Sequence, residues 1–482
     1  MAGPLENLLL TPVADISKAS TQSPFDAVVV GAGTAGITTA RTLVENGRRV
    51  ALLESGNLLL LTHISSTGLR FDADLARSVQ TAVQYSPQLP DGTPFGSLIR
   101  CVGGRGLFWN GATPRFLAAD FNGWPIQLAD LEPYYDWAEQ QFRVNKNYGS
   151  GGLGQTVLRL LRRAGYPAEF LPFAVDTRPS SDGWLGGTVG NAVEPLLRAG
   201  ALTAAGKPLQ LASGAYVTGV TMNSAGDHAT GVQVADQVSG QTFPVSARSV
   251  VLAAGGFESV KLALLSRFRD QSQLMGRMIT DHLFCRAYYP VPLGIYRPDM
   301  PEASMILIRP DASRAYQLEV HLPDDNIFNL KSNDTWKPNG SHAYAFMVRN
   351  FAPVRPRVEN YIEARAGGPG SFTVHFSYAP EDLALRDRMV AGLEAIRVAL
   401  GAGPALQVQV MPPGASHHEA GGLAMGTDPN LSVTDPYGRF HSTVNVVVAD
   451  AAAWPDVVAA NPHLTIAAIA RRQATQLSKD LA

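Results

Sequence analysis

Apolar residues fall along this chain in unbroken runs near its two ends and in alternating runs through its middle, and the two rhythms predict two kinds of sheet. Phe25-Asp26-Ala27-Val28-Val29-Val30 and Val50-Ala51-Leu52-Leu53 suit parallel strands buried on both faces, with a helix from about Ile37 to Asn46 between them. Further strands are expected at 209–211, 215–222, 231–235, 242–245 and 249–253, the last leading into a helix at 260–266. From 286 to 404 the period is two. Runs at 303–308, 315–322, 342–348, 357–364 and 371–378 predict a broad, largely antiparallel sheet, followed by a helix from Pro380 to Leu400 behind an acidic Pro-Glu-Asp turn.

The rest of the pattern is helix and loop. Helical spacing marks 73–85, 128–135 with 138–142, 157–164 and 191–198, while 88–92 reads as a turn and 178–187 as a polar loop. Residues 1–24 read as a loose arm. After 405 the small-residue style of the first strands returns. The fold class is therefore α/β, with a Rossmann-like nucleotide domain assembled from 25–120, 200–285 and 405–482. A substrate domain built on the antiparallel sheet, 121–199 and 286–404, is inserted into it.

The turn after the first strand sharpens this to dinucleotide binding. Gly31 permits the tight strand-to-helix turn, Gly33 lets the backbone approach a pyrophosphate, and Gly36 lets helix and strand pack closely. Thr34 and Ala35 lie in the turn, and the free N–H groups at the helix start, with its dipole, favour the phosphate charge. Glu54, ending the second strand roughly twenty residues on, stands where a carboxylate accepts from an adenosine ribose. A carboxylate there repels a 2′-phosphate, so NADP is disfavoured. The strand ending in Ala253-Ala254-Gly255 offers the nucleotide a second close backbone contact, and the glycine-rich loop 100–116, broken by aromatic residues, suits a backbone wrapped against a flat ring.

Composition narrows the partners. With 482 residues, 45% of them hydrophobic and 17% charged, and a formal net charge of −2, nothing points to nucleic acid or a charged lipid surface. Two cysteines, Cys101 and Cys285, exclude a disulfide framework and fit a reducing compartment. No signal peptide, membrane span or metal-ligand spacing is read, so the expected location is cytoplasmic and the partner a small molecule. Oligomeric state is left open.

The candidate chemistry lies near the C-terminus, in Ser416-His417-His418-Glu419-Ala420-Gly421-Gly422, Asp450 after an apolar strand, and Asn461-Pro462-His463 opening the last helix. With the glycine fingerprint, the Gly103-Gly104 loop and the stretch Gly276 to His282, these motifs resemble the glucose-methanol-choline oxidoreductase family. The loop ending Trp109-Asn110-Gly111-Ala112-Thr113-Pro114-Arg115-Phe116 is similar to the pyranose 2-oxidase branch and bacterial relatives acting on sugars and glycosides.

The resemblance implies bound FAD and oxidation of an alcohol of a sugar, glycoside or hydroxylated natural product to a carbonyl. Hydride passes to flavin N5, and electrons pass on to O2 or another acceptor. It implies His418 as the catalytic base, with His417 the lesser alternative, and Asn461 as its partner holding the substrate oxygen. It places Asn110 near flavin N5 and Asp450 near the phosphate or ribityl region. Ser55, Val102, Gly104, Arg105, Gly111, Ala112, Val217, Pro462 and His463 complete the implied cofactor contacts. Phe108 stands where the pyranose 2-oxidase loop has its flavin-linking His, so non-covalent FAD is expected; Gly421-Gly422 replaces the Gly-Thr common after the catalytic His-Glu-Ala. A redox-idle lyase or isomerase of the same fold is the alternative. His282 and His441 are read as packing or surface residues, His463 as a backbone contact, and Phe346, His375 and Tyr378 as candidates for the substrate pocket.

Overall fold

The computed structural model describes residues 9–71, 73–146, 152–175, 208–292, 305–322 and 345–482. The loop expected at 178–187 and the helix at 191–198 lie outside the described residues.

Two sheets organise the chain. The first has seven strands, in the order Leu209–Ala212, Val50–Leu53, Phe25–Val30, Thr242–Leu252, Ala229–Asp236, Ala215–Met222, with Val446–Val448 also pairing along Thr242–Leu252. The five segments that end in small residues or Glu54 run parallel, and the 215–236 hairpin adds antiparallel strands. Sequence reading separates 242–245 from 249–253. In the fold they are one strand of eleven residues, whose first half pairs antiparallel with Ala229–Asp236 and whose second half pairs parallel with Phe25–Val30. Changing partner midway is what lets one strand carry a partly exposed first half and a buried run, Ser249 to Leu252, at its end.

The second sheet is antiparallel throughout, in the order Gln407–Val410, His282–Pro290, Ala345–Pro353, Gln317–His321, Met305–Ile308, Ala168–Phe170. Its outer face is covered by helices Pro380–Leu400 and Gly152–Arg163, which bury Leu393, Ile396, Val157 and Leu161 against Cys285, Ile306, Val320 and Val348. Alternation along the strands then turns Phe284, Arg286, Arg349, Phe351 and Glu319 to the other face. The runs expected at 357–364 and 371–378 do not join this sheet. Tyr361–Ala364 and Phe372–His375 pair with each other, with single bridges to Arg277 and Gln88.

Residues 13–22 form a helix rather than a loose arm. Its buried stripe is Val13, Ile16, Ser17 and Ser20, in which Ser17 Oγ donates to the Pro244 carbonyl (2.6 Å) and Ser20 Oγ accepts from Ser246 N (3.0 Å). Two of four inward positions are serines satisfied by the sheet, so apolar periodicity alone misses the element. Helix Leu128–Phe142 runs unbroken through Pro133, held by a stripe of Leu131, Tyr135, Ala138 and Phe142. The helix expected over 73–85 stops at Thr81, and Gln84–Tyr85 pairs with Leu98–Ile99.

Candidate active site

The parallel strands all end on one side of the first sheet, and a cavity of about 790 Å³ opens there beneath the inner face of the second sheet. An open α/β sheet places its ligand crevice at these carboxyl ends, because the strand-to-helix turns present unpaired N–H groups there.

The nucleotide end is built from backbone. Gly31, at φ +97°, makes the turn in a conformation that a side chain disfavours, and a Cβ on it would lie 2.5 Å from the Ala253 carbonyl oxygen. A Cβ on Gly36 would lie 1.8 Å from the Gly31 oxygen, whereas one on Gly33 would meet nothing within 4 Å. Gly33 thus faces open space at the start of helix Thr34–Glu45, the free approach a pyrophosphate needs. Glu54 is 6% exposed; its Oε2 accepts from Ala32 N (2.9 Å) and its Oε1 from Gly56 N (2.7 Å), which holds the carboxylate in the wall. Burial raises its pKa despite those bonds.

Thr34, Ala35, Ser55, Gly104, Asn110, Ala112, Val217, Ala254 and Gly255 line the same cavity. Three expected cofactor residues do not. Gly36 packs helix on strand, Val102 is fully buried in the apolar cluster with Ala32, Ala35 and Ile37, and Gly111 gives its carbonyl to Ala174 N (2.8 Å). Arg105 lines the cavity, but as a tie between loops: Nη1 donates to the His417 carbonyl (3.0 Å) and Glu419 (2.7 Å), and Nη2 to the Ser97 carbonyl (2.8 Å). Asp450 joins two strand ends, accepting from Gly255 N (2.9 Å), Ser259 Oγ (2.6 Å) and Ala452 N (3.0 Å). Burial pushes its pKa up to about 6.

His463 is held by its side chain. The ring stacks on Trp109 at 3.7 Å and 16°, and Nε2 meets Thr34 Oγ1 at 3.0 Å. The N-termini of helices Thr34–Glu45 and His463–Asp480 are thereby tied together at the cavity wall, two positive dipole ends at one place. His63, missed in the sequence, supports the loop from behind through the Trp109 carbonyl (2.8 Å).

At the other end His418 and Asn461 both reach the cavity, and each has its polarity dictated from behind. His282 Nε2 lies 2.5 Å from the Val458 carbonyl oxygen, which can only accept, so that nitrogen carries the proton. Burial holds the pKa of His282 down to about 4, so the ring is neutral and its Nδ1 is bare. His418 Nδ1, 2.9 Å from that bare nitrogen, must then carry the proton, leaving His418 Nε2 with a free lone pair. Burial, then the His282 and His417 rings and the Arg349 and Arg105 charges, keep the His418 pKa well below the ordinary value. His282 packs on Phe351 as a buried ring and also meets His418. Its part is invisible in sequence because its partner lies 136 positions away.

Asn461 is fixed by the same logic. The Glu319 carboxylate accepts, so Gln317 must turn its Nε2 towards it (2.8 Å), and the same Nε2 donates to Asn461 Oδ1 (3.0 Å). The Asn461 amide nitrogen is left as a donor for the cavity. Burial opposes the charge on Glu319, but Arg349 and His321 outweigh it and hold the carboxyl down to about 2. Phe351 packs on the His418 ring at 5.4 Å. The substrate candidates Phe346, His375 and Tyr378 do not line the cavity. Phe346 and Tyr378 pack under the outer helices, and His375 stacks on Tyr361 at 4.1 Å. Phe346 belongs to the outward set of its strand, a parity that only the sheet's register reveals. His441 meets Ser432 Oγ at 2.9 Å, away from the site.

A glycine-lined dinucleotide crevice facing a bare imidazole nitrogen and an amide donor defines an oxidoreductase that acts on alcohols. The chain belongs to the glucose-methanol-choline (GMC) oxidoreductase family: the N-terminal GMC oxidoreductase family model matches residues 25–284 and the C-terminal one 356–470. It is 26% identical to paromamine 6'-oxidase of Streptomyces fradiae, over 95% of this chain and 92% of that one. It is also 26% identical to C-glycoside 3-oxidase of Arthrobacter globiformis, over 81% of this chain and 76% of that one. Pyridoxine 4-oxidase from Mesorbium loti shares the fold with a TM-score of 0.64 at 19% identity, covering 94% of this chain and 99% of that one. Family membership brings FAD as the group the crevice serves, and open space at Gly33 together with the buried Glu54 fits it. The relatives are oxidases and dehydrogenases, and the lyase or isomerase alternative finds no support among them. Among the described residues no helix is long and apolar enough to cross a membrane, and no cluster of His, Cys, Asp or Glu could hold a metal ion.

Proposed function

We propose that this chain oxidises an alcohol group of a sugar, glycoside or hydroxylated natural product to a carbonyl, with His418 as the base and Asn461 as the donor that holds the reacting oxygen. The observation that carries the reading is the bare Nε2 of His418, imposed by the chain Val458–His282–His418. Bound FAD supplies the hydride acceptor.

The protein's own residues do the remainder. His418 Nε2 takes the hydroxyl proton as the C–H bond breaks, a task suited to an imidazole that is neutral at working pH. Asn461 donates to the same oxygen through its amide nitrogen and, having no lone pair there, does not compete for the proton. Gly31, Gly33 and Thr34 would hold FAD at its pyrophosphate and Glu54 at its ribose, and Asn110 and His463 would serve the flavin end. Phe108, which cannot form a link to the isoalloxazine, supports non-covalent binding. The substrate range draws support from the sugar and glycoside oxidases among the relatives; the acceptor, O2 or another, is left open. The two cysteines, both unpaired, are compatible with a cytoplasmic enzyme.

His418→Ala tests the reading. The variant should bind yellow flavin normally while anaerobic flavin reduction by substrate slows by about two to four orders of magnitude. An unchanged reductive half-reaction would remove His418 from the chemistry.

A further inference from the structure

The inner face of the second sheet forms the roof of the substrate end, and its register arranges the roof in rows. Phe284, Phe351 and Gln317 stand directly opposite one another on three adjacent strands, next to His418 and Asn461. Two positions along, roughly 7 Å further from the catalytic pair, the next row reads Gln409, Arg286, Arg349, Glu319.

Two arginines directly opposite each other repel unless something compensates. Glu319 answers only one of them, accepting from Arg349 Nε at 2.5 Å. Arg286 has a neutral partner instead, its Nε donating to Gln409 Oε1 at 2.5 Å, and among the described residues no carboxylate pairs with it. The Arg349 side chain is 12% exposed, and its Nη2 is buried without a hydrogen-bond partner. An unsatisfied guanidinium nitrogen out of water is costly, and among the described residues the roof row holds two arginines against one carboxylate, with Arg286 at the cavity wall. Between this row and the catalytic pair lies a flat apolar surface, Phe284 stacked on Phe351 at 4.7 Å and 22°.

We propose that Arg286 and Arg349 form a carboxylate-binding subsite, so that the substrate is an alcohol carrying a carboxylate about one sheet repeat from the hydroxyl presented to His418 and Asn461. The inference rests on the alcohol-oxidising reading above and narrows its substrate class to acids, such as a uronic acid, an acidic glycoside or an aromatic hydroxy acid. A carboxylate matches the guanidinium fork and supplies the missing negative charge in one group. A cationic substrate meets like charge in the same place.

The test uses the FAD-loaded enzyme and pairs of equal size. Benzoate and benzamide, which cannot be oxidised, are titrated calorimetrically; 4-(hydroxymethyl)benzoate and 4-(hydroxymethyl)benzamide are compared by anaerobic flavin bleaching. Benzoate should bind about tenfold or more tightly than benzamide, one charge-assisted contact's worth. Arg286→Gln should erase the preference and Arg286→Lys keep part of it, both with wild-type FAD content. Equal affinities, no binding of either acid, or a preference that survives Arg286→Gln would overturn the subsite. If benzoate is preferred but no alcohol bleaches the flavin, the subsite stands and the oxidation reading fails. If alcohols bleach it without regard to charge, the subsite alone fails.

Discussion

Replacing His282 by leucine removes the one group that decides where the proton of His418 resides. His282 is 2% exposed, and its bare Nδ1 is the acceptor at 2.9 Å for His418 Nδ1–H. Leucine fills part of the space but accepts nothing, so that N–H is left buried and unpaired at a cost of about 1–3 kcal/mol. The ring can escape the cost by moving its proton to Nε2, where the cavity offers room, but that tautomer has no lone pair for the substrate. Reaching the reactive tautomer then costs up to the same 1–3 kcal/mol, which slows flavin reduction by about 5- to 150-fold. His282→Gln restores an amide oxygen towards His418 and an amide N–H towards Val458, and should recover most of the rate. The measurement is anaerobic stopped-flow bleaching of flavin at saturating alcohol, with the flavin-to-protein ratio and melting temperature of each variant as controls. A leucine variant with full flavin content that reduces at the wild-type rate would refute the reasoning, because the tautomer would then not be set from behind.

Further outcomes follow from the same geometry. The His418 pKa is lowered, so its base form persists as pH falls and is lost only below the ordinary 6.5; kcat/KM for the alcohol should be level through neutrality, and an acid limb centred at or above 6.5 would contradict the burial. His282 folds with a pKa near 4 against 6.5 unfolded, so the unfolded chain binds the extra proton first and stability falls as pH drops from 6.5 towards 4, by up to about 3 kcal/mol. Urea midpoints at pH 7 and 4.5 should show a shallower loss in His282→Leu than in the wild type. Gly33→Ala should leave a folded apoprotein whose FAD uptake is weakened at least tenfold by fluorescence titration, whereas Gly36→Ala, with its Cβ 1.8 Å from the Gly31 oxygen, should lower the melting temperature. Acid precipitation should release all flavin into the supernatant; colour retained in the pellet would show a covalent link despite Phe108.

The nucleotide half of this protein is legible in its sequence because its constraints are local. A buried strand, the Gly31, Gly33 and Gly36 turn, the helix and Glu54 follow one another within thirty residues, and backbone sterics alone dictate those residue types. The two residues proposed for catalysis, His418 and Asn461, are likewise marked by the motifs around them. What supports each is not. Val458 and His282 behind His418, Gln317 and Glu319 behind Asn461, and the Arg286–Arg349 row come from strands and loops scattered across the chain, and only sheet register and loop docking bring them into contact. The misread elements fail for the same reason: helix 13–22 buries serines that the sheet satisfies, and Phe346 lies one residue out of phase with the face that roofs the cavity. Residue order alone specifies which groups are available and where the backbone must turn. Which nitrogen of an imidazole is bare, and which end of an amide faces the cavity, was decided by the tertiary structure, because a proton's place depends on acceptors that the chain supplies from far away.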